Sequence, residues 1–175
     1  DDDVILGEAG NDALDGGNGD DQIFGQDDDD SIFGGDGNDT LGGGTGNDQI
    51  FGQNDNDVIV GEAGNDTLGG GSGNDQIFGQ NGADFLTGGL GVDTLTGGSG
   101  SDRFAILSSL SANQDIIQDF QNGVDLLYLT GELTFEGLII NGFEDNTQII
   151  ENSTDEILAV LVGIDPAEIT PLDFI

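Results

Sequence analysis

Hydrophobic and polar residues recur with a period of nine from Gly7 to Ala105, in eleven consecutive copies. The copy at residues 43–51 reads GGTGNDQIF. Position 1 is glycine in every copy, position 6 is aspartate and position 8 is a large apolar residue. The first residues are the end of a further copy, with Asp3 at position 6 and Ile5 at position 8. Three positions that stay in phase for about a hundred residues indicate a repeat architecture with one small structural unit per copy.

Each copy combines a turn with a short strand. Glycine at positions 1 and 4, or Asn or Asp in its place, permits the positive φ of a tight turn. Positions 7–9 predict a very short strand whose central side chain faces inward. A turn and a strand make half a coil, so strands 18 residues apart stack in parallel. The predicted inner walls are Ile5, Ile23, Leu41, Ile59, Ile77 and Leu95 on one side and Leu14, Ile32, Ile50, Leu68, Leu86 and Phe104 on the other.

This core is too thin to hold the coil together by itself. It contains roughly one buried aliphatic residue per nine. Each contributes about 1.5–3 kcal/mol, whereas ordering the backbone costs about 1–2 kcal/mol for every residue. A further source of stability is therefore expected in the turns.

The position-6 aspartates indicate what that source is. They form two files in which neighbours lie about 4.8 Å apart, a spacing at which ionised carboxylates need cations between them. Carboxylates and the carbonyls of glycine-rich turns, without histidine or cysteine, make an oxygen site that suits Ca²⁺ better than zinc or copper. The files are Asp3, Asp21, Asp39, Asp57, Asp75 and Asp93 on one edge, and Asp12, Asp30, Asp48, Asp66, Asp84 and Asp102 on the other.

The sequence resembles the calcium-binding repeats-in-toxin (RTX) family, whose repeat is Gly-Gly-x-Gly-x-Asp-x-hydrophobic-x. The resemblance covers residues 1–105 and implies an all-β fold, a right-handed parallel β-roll with Ca²⁺ in the turns. It also implies the ligands of each ion. One turn gives carbonyls 2 and 4 and its aspartate, and the turn 18 residues later gives carbonyls 1 and 3 and its aspartate. Pairing the aspartates of each file in order gives up to ten sites.

The implied carbonyl ligands belong to positions 1–4 of the successive turns. For the copies that start at Gly43 and Gly61, carbonyls of Gly44 and Gly46 face those of Gly61 and Ala63. Over the whole chain they are Glu8, Gly10, Gly17, Gly19, Gly25, Asp27, Gly34, Gly35, Asp36, Gly37, Gly43, Gly44, Thr45, Gly46, Gly52, Asn54, Gly61, Ala63, Gly64, Gly70, Gly71, Ser72, Gly73, Gly79, Asn81, Gly82, Gly88, Leu90, Gly97 and Ser99.

Some copies depart from the glycine pattern. Position 4 is Asp28 or Asp55 in two copies, and position 2 is Glu or Gln in five copies, including those two. Because the implied ligand is a backbone carbonyl, these copies are expected to bind calcium as long as the backbone keeps the angle that glycine adopts.

Charge makes the fold conditional on calcium. The chain has 36 Asp and Glu residues, one basic residue and a net charge of −35, a composition typical of a disordered chain. Ten Ca²⁺ ions would add 20 positive charges and leave about −15. We therefore expect a disordered chain without calcium and a rigid rod with it. The same acidity disfavours nucleic acid and anionic membranes as partners.

Several features favour an extracellular location. Cysteine is absent, so calcium would do the stabilising work that disulfides do in many secreted proteins. No apolar run approaches the roughly 20 residues of a membrane span. The chain lacks an N-terminal signal peptide and starts within a repeat, so we interpret it as the C-terminal part of a longer protein.

Period nine ends after Ala105, and residues 106–175 are predicted as a second domain, an antiparallel β cap on the roll. Residues 115–129 predict two strands around a turn at Asn122–Gly123, with further strands at 137–141, 146–151 and 156–162 and a helical turn near 166–169. This stretch is similar to the segment after the last repeat of RTX proteins and serralysin-type proteases. Asp115, Asp119 and Asp125 are candidates for a last calcium site, with turn capping as an equal alternative.

Four phenylalanines at position 9 are expected to point away from the core. They could form a contact surface for a partner or another roll, or they could fold over and cover the glycine-rich turns. They are Phe24, Phe33, Phe51 and Phe78.

Nothing in the sequence supports catalysis. Histidine and cysteine are absent, which excludes the usual nucleophile–base pairs, and the paired carboxylates are periodic whereas a catalytic pair is usually singular. We expect a calcium-dependent folding and secretion module, because residues 169–175 are similar to the C-terminal signals that a type I (ABC transporter) channel reads. The alternative is a structural or adhesive surface protein that associates with itself or with a cell-surface partner.

Overall fold

The structure is a computed structural model, and it describes residues 1–107 and 114–175. It consists almost entirely of β-strands. The first twelve strands are β1 (Val4–Ala9), β2 (Ala13–Asn18), β3 (Gln22–Asp27), β4 (Ser31–Asp36), β5 (Thr40–Thr45), β6 (Gln49–Asn54), β7 (Val58–Ala63), β8 (Thr67–Ser72), β9 (Gln76–Asn81), β10 (Phe85–Leu90), β11 (Thr94–Ser99) and β12 (Arg103–Ile106). The last five are β13 (Asp115–Ile117), β14 (Leu126–Leu129), β15 (Leu138–Phe143), β16 (Asn146–Glu151) and β17 (Glu156–Val162).

Successive strands alternate between two sheets. Odd-numbered strands from β1 to β13 form one sheet, followed by β17, β16 and β15, and even-numbered strands from β2 to β14 form the other. Each strand of the repeats pairs in parallel with the strand 18 residues later, as Ile32 pairs with Ile50 and Ile50 with Leu68. The coil is therefore a parallel β-solenoid of about six turns, and the predicted fold class is confirmed.

The core consists of two facing files of apolar side chains, one from each sheet. Position-8 residues from Ile23 to Phe104 are fully buried, while Ile5 and Leu14 in the first turn are partly buried. Strands β1 to β11 are six residues long rather than three, because positions 2 and 3 of the next copy also pair along the same ladder. The backbone already has positive φ at position 2, so the turn begins within the end of the strand.

Outward-facing phenylalanines lie beside glycines of the next strand. A Cβ built on Gly42 would lie 2.9 Å from Cδ1 of Phe24, and one built on Gly69 would lie 2.9 Å from Cδ1 of Phe51. Phe33 and Phe51 stack on each other, with ring centroids 5.8 Å apart. Phe24 and Phe51 therefore pack over glycines at position 9 of a neighbouring strand, whereas the second alternative had placed them over the turns.

The segment after the repeats differs in one respect from the predicted antiparallel cap. Strands β13 and β14 do not form a hairpin but extend the two sheets in parallel, with Ile117 beside Leu95 and Leu127 beside Phe104. The reason is that Ile117 and Leu127 are fully buried and continue the two core files by one further turn. Residues 108–113 of this predicted domain lie outside the described residues.

Antiparallel pairing begins with β17, which lies parallel to β13 and antiparallel to β16, and β16 pairs with β15. These strands are close to those predicted. Short 3-10 helices occur at Phe135–Gly137, Pro166–Glu168 and Pro171–Asp173, and Phe174 pairs with Leu127 at the edge of the even-numbered sheet. Within the described ranges, no helix is long and apolar enough to span a membrane.

Candidate calcium sites

Position-6 aspartates form two hydrogen-bonded ladders along the edges of the solenoid. In each ladder, the backbone N–H of one aspartate donates to Oδ1 of the aspartate one turn later. The N–H of Asp48 donates to Asp66 at 2.8 Å, and the N–H of Asp66 donates to Asp84 at 2.8 Å. The same bond recurs from Asp3 to Asp102. One oxygen of each carboxylate is therefore fixed by the backbone of the preceding turn.

The second carboxylate oxygen has no such partner. In eleven ladder residues Oδ2 is buried and accepts no hydrogen bond, and from Asp21 onward these side chains are at most 2% exposed. A buried polar atom without a partner costs about 1–3 kcal/mol, and more when it is charged. These atoms therefore need a positively charged ligand. They belong to Asp12, Asp21, Asp30, Asp39, Asp48, Asp57, Asp66, Asp75, Asp84, Asp93 and Asp102.

Each free oxygen points at the position-1 glycine of its own copy. A Cβ built on Gly7 would lie 2.7 Å from Oδ2 of Asp12 and 2.8 Å from the carbonyl oxygen of Gly25, one turn later. A carboxylate and a carbonyl from successive turns thus converge on a space that any side chain at position 1 would fill. The same arrangement recurs at each position-1 glycine from Gly16 to Gly79. This requirement explains why position 1 is always glycine.

Positions 2–4 place the other implied carbonyls. The position-4 N–H donates to the position-3 carbonyl of the next turn, as from Gly46 to Ala63 at 2.9 Å. That carbonyl keeps one lone pair for a metal ion. Ligation by these carbonyls and by the ladder aspartates remains a prediction.

Backbone angles at positions 2 and 4 stay positive where glycine is replaced. Gln53 has φ of 85° and Asp55 has φ of 70°. Glu8, Gln26, Asp28, Glu62 and Gln80 also have positive φ. Such angles cost of order 1–3 kcal/mol outside glycine and persist only where the surroundings impose them. The backbone of these copies therefore keeps the angle that glycine adopts, as carbonyl ligation was expected to require.

Burial and mutual repulsion raise the pKa of the ladder aspartates. Desolvation is the largest cause for Asp57 and Asp66, and neighbouring ladder carboxylates add to it, which together bring both pKa values to about 7. Hydrogen bonds from the preceding turn act in the opposite direction. The pKa of Asp115 rises to about 8, again through desolvation first and then through the charge of Asp93. The folded ladder therefore disfavours ionised aspartates unless a cation compensates them.

The residues present fit a hard cation. Beside each position-1 glycine from Gly7 to Gly79, a carboxylate oxygen and a carbonyl oxygen from the next turn converge on a space that a Cβ would fill. No group of three or more His, Cys, Asp or Glu side chains gathers at one point among the described residues. Such a site differs from zinc and copper centres, which use histidine and cysteine, and agrees with Ca²⁺, which accepts carboxylate and carbonyl oxygens.

Both ladders continue beyond the repeats with altered spacing. Oδ1 of Asp115 accepts the N–H of Asp93 at 3.3 Å, and Oδ1 of Asp125 accepts the N–H of Asp102 at 3.0 Å. Oδ2 of Asp125 also accepts the N–H of Gln121 at 2.8 Å. Asp115 and Asp125 were both candidates for a last calcium site, and each carboxylate takes the next place in one of the two ladders.

Asp119 has a different role from the ladder residues. Its two oxygens accept the N–H groups of Gly97 and Gly98 at 2.9 and 2.7 Å. These groups belong to positions 1 and 2 of the last copy. Asp119 therefore caps the final turn of the roll, which was one of the two alternatives left open by the sequence.

Comparison with known proteins agrees with this geometry. The model of the RTX calcium-binding nonapeptide repeat matches four times, over residues 1–32, 15–50, 33–68 and 69–104. A solution structure of the AlgE6R3 subunit from the Azotobacter vinelandii mannuronan C5-epimerase is 28% identical, with a TM-score of 0.56. That match covers 71% of this chain and 80% of the subunit. It supports the parallel β-solenoid.

A second solved structure, the extracellular lipase LipA from Serratia marcescens, is 19% identical with a TM-score of 0.43. The match covers 94% of this chain and 38% of the lipase. No curated protein matches the chain.

The space beside a position-1 glycine is small enough that adding one methyl group there should disturb calcium binding. Gly61 has no positive φ, so alanine is tolerated by the backbone, but its Cβ would lie 3.0 Å from the Gly79 carbonyl oxygen and against Oδ2 of Asp66. We expect Gly61→Ala to bind one calcium ion fewer per chain, measured by isothermal titration calorimetry. Gly137→Ala is the matched control, because its Cβ meets only Oγ1 of Thr134 at 3.6 Å. Unchanged stoichiometry in Gly61→Ala would contradict this site.

The raised pKa values predict how the calcium-free roll responds to pH. A carboxyl with a pKa of about 7 in the fold and near 3.8 when unfolded binds protons more tightly in the fold. Its contribution to stability is present in acid and is lost as the pH rises from about 4 to 7. We expect the strand signal in circular dichroism of calcium-free protein to be larger at pH 4 than at pH 8.

With saturating calcium, the stability of the roll is expected to fall in acid instead, because protons then compete with the ion for the same oxygens. A calcium-free signal that is equal at both pH values, or larger at pH 8, would contradict this account.

Proposed function

Because this chain belongs to the RTX calcium-binding nonapeptide repeat family, we propose that it is an extracellular module whose folding is driven by calcium and which supports type I secretion of a larger protein. The observation that carries the proposal is the set of eleven buried, unpartnered Oδ2 atoms in a chain of net charge −35. A fold that buries so many carboxylates without a counter-charge is unfavourable at neutral pH. Calcium binding therefore supplies the free energy of folding.

The proposed sites lie between successive aspartates of each ladder. One turn contributes its aspartate and the carbonyls of positions 2 and 4, and the next contributes its aspartate and the carbonyls of positions 1 and 3. Ten aspartate pairs lie within the repeats, and Asp115 extends one ladder by a further pair. Bound ions remove the repulsion within the ladders and accept the Oδ2 lone pairs. They also hold the positive-φ turns.

Calcium concentration then acts as the switch between two states. In the low calcium of a cytosol the chain remains extended, and extracellular modules bind calcium with Kd of about 10⁻⁴–10⁻³ M, which suits the millimolar concentration outside cells. An extended chain can pass through a narrow channel, and folding on the far side prevents its return. The C-terminal residues, similar to type I secretion signals, support this direction of export.

A second candidate function is a calcium-stiffened stalk or surface layer. The rod-like stacking of about six turns and the exposed aromatic side chains Phe33, Tyr128 and Phe143 favour it. The two functions share the calcium sites and differ in whether the folded rod associates with itself or a surface partner. We assign no catalytic step to these residues.

Calcium titration tests the folding proposal. We expect circular dichroism of the chelator-treated protein at pH 8 to show a disordered chain, and strand signal to appear over one narrow range of calcium concentration. Magnesium at equal concentration is the control, since it requires near-ideal octahedral geometry and gives up water reluctantly. Complete strand signal in chelator at pH 8 would contradict the proposal.

Deletion of residues 160–175 tests the secretion role separately. We expect the truncated chain to accumulate inside a host with a matching type I transporter. The intact chain should appear in the medium. Phe174→Ala with Ile175→Ala is the milder variant, because it leaves β17 (Glu156–Val162) intact. Equal export of the deletion and the intact protein would contradict a C-terminal signal without affecting the calcium proposal.

A further inference from the structure

Two similar grooves lie on opposite faces of the solenoid, each where glycine occupies position 9. The groove on the even-numbered sheet has a volume of 440 Å³ and is lined by Phe51, Gly69 and Thr87, among others. The groove on the odd-numbered sheet has a volume of 380 Å³ and is lined by Phe24 and Gly42. In both, a phenylalanine of the preceding turn lies beside the glycine at the same distance. They are therefore two versions of one structural feature.

The groove on the even-numbered sheet, named the Gly69 groove, continues a stack of aromatic rings. Phe33 and Phe51 stack at position 9 of successive turns. Gly69 follows Phe51 in the same row and has no side chain to continue the stack. Thr87 bounds the far side of the space. The Gly69 groove therefore has room and an apolar wall for one further aromatic ring. An offset stack of that ring on Phe51 is a favourable arrangement.

Charge distinguishes the two grooves. Asp27 and Glu62 line the groove beside Gly42. By contrast, the residues that line the Gly69 groove include no acidic side chain, and the acidic residues of this sheet lie on β2 (Asp15) and at the end of β4 (Asp36). Arg103, the chain's single basic residue, lies on β12 with its guanidinium 5.6 Å from the Phe85 ring centroid. In a chain of net charge −35, this groove is one that a carboxylate-bearing ring can approach without direct repulsion from its lining.

The chain itself carries such a ring. Phe143 is 57% exposed, the highest exposure of any aromatic side chain among the described residues. It ends β15 and pairs with Asn146, so that Glu144 and Asp145 form the two-residue tip of a β-hairpin. The exposed ring thus lies beside a hairpin tip that carries two carboxylates. Those carboxylates would be repelled by Asp27 and Glu62 in the groove beside Gly42, whereas the lining of the Gly69 groove has no acidic side chain to repel them.

We propose that the Gly69 groove binds the Phe143 ring of a second copy of this chain. The contact uses different surfaces on the two copies. It therefore leaves a free groove on one copy and a free Phe143 on the other, so further copies can add in the same way. The proposal goes beyond calcium-dependent folding, although it requires the folded roll.

Self-association of the calcium-bound chain tests this contact. Sedimentation velocity at concentrations up to about 1 mM should show a mass that rises with concentration for the natural chain. Gly69→Phe fills the groove with the chain's own ring, and Phe143→Ser removes the inserted one. Either variant alone is expected to need at least a tenfold higher concentration for half-association. Gly42→Phe is the matched control, since it makes the same change on the acid-lined face and should associate like the natural chain.

Mixing the two variants gives the decisive measurement. Phe143→Ser keeps the groove and Gly69→Phe keeps the ring, so an equimolar mixture should form a one-to-one complex with an affinity close to that of the natural contact. Circular dichroism and calcium stoichiometry of each variant establish that the roll is folded. A natural chain that stays monomeric would overturn the proposal. Association that survives in both single variants, or a mixture that forms no complex, would do the same.

Discussion

One constraint governs this structure: a carboxylate oxygen in every repeat is buried without a hydrogen-bond donor. The remaining features are arranged around that oxygen. Glycine at position 1 leaves the space that it faces, the next turn directs a carbonyl into the same space, and positive φ at positions 2 and 4 shapes the turn. A cation in that space relieves the repulsion between successive carboxylates, which the raised pKa of Asp57 and Asp66 reflects.

The division between core and turns follows from the size of the repeat. Nine residues provide one fully inward side chain, such as Ile50 or Leu68, which is too little apolar surface to stabilise a repeat alone. Stacking then makes each turn depend on its neighbours, as in other solenoids. The unusual feature here is that the neighbour interaction combines a hydrophobic contact with an electrostatic one, so the fold responds to the ionic composition of its surroundings.

Much of the fold could be predicted from the sequence because the phase of three positions never slips. Asp48 and Ile50 illustrate this: their offset within the repeat puts one at a turn and the other in the core. The region after Ala105 was harder, since spacings of 22 and 23 residues replace 18 between Asp93 and Asp115 and between Asp102 and Asp125. Once the nine-residue period is lost, the sequence does not show which later strands continue the parallel stack. The capping role of Asp119 depends on its distance to Gly97 and Gly98, which spacing does not reveal.

The hydrogen bonds of the two ladders all run in one direction. Each ladder aspartate within the repeats donates its amide to a carboxylate of the following turn, so the side chain of each rung is held by the backbone of the turn before it. The amides of the last two repeat aspartates donate to Asp115 and Asp125, which lie outside the repeats. The segment after the repeats therefore supplies the acceptors that a further turn of the roll would have provided.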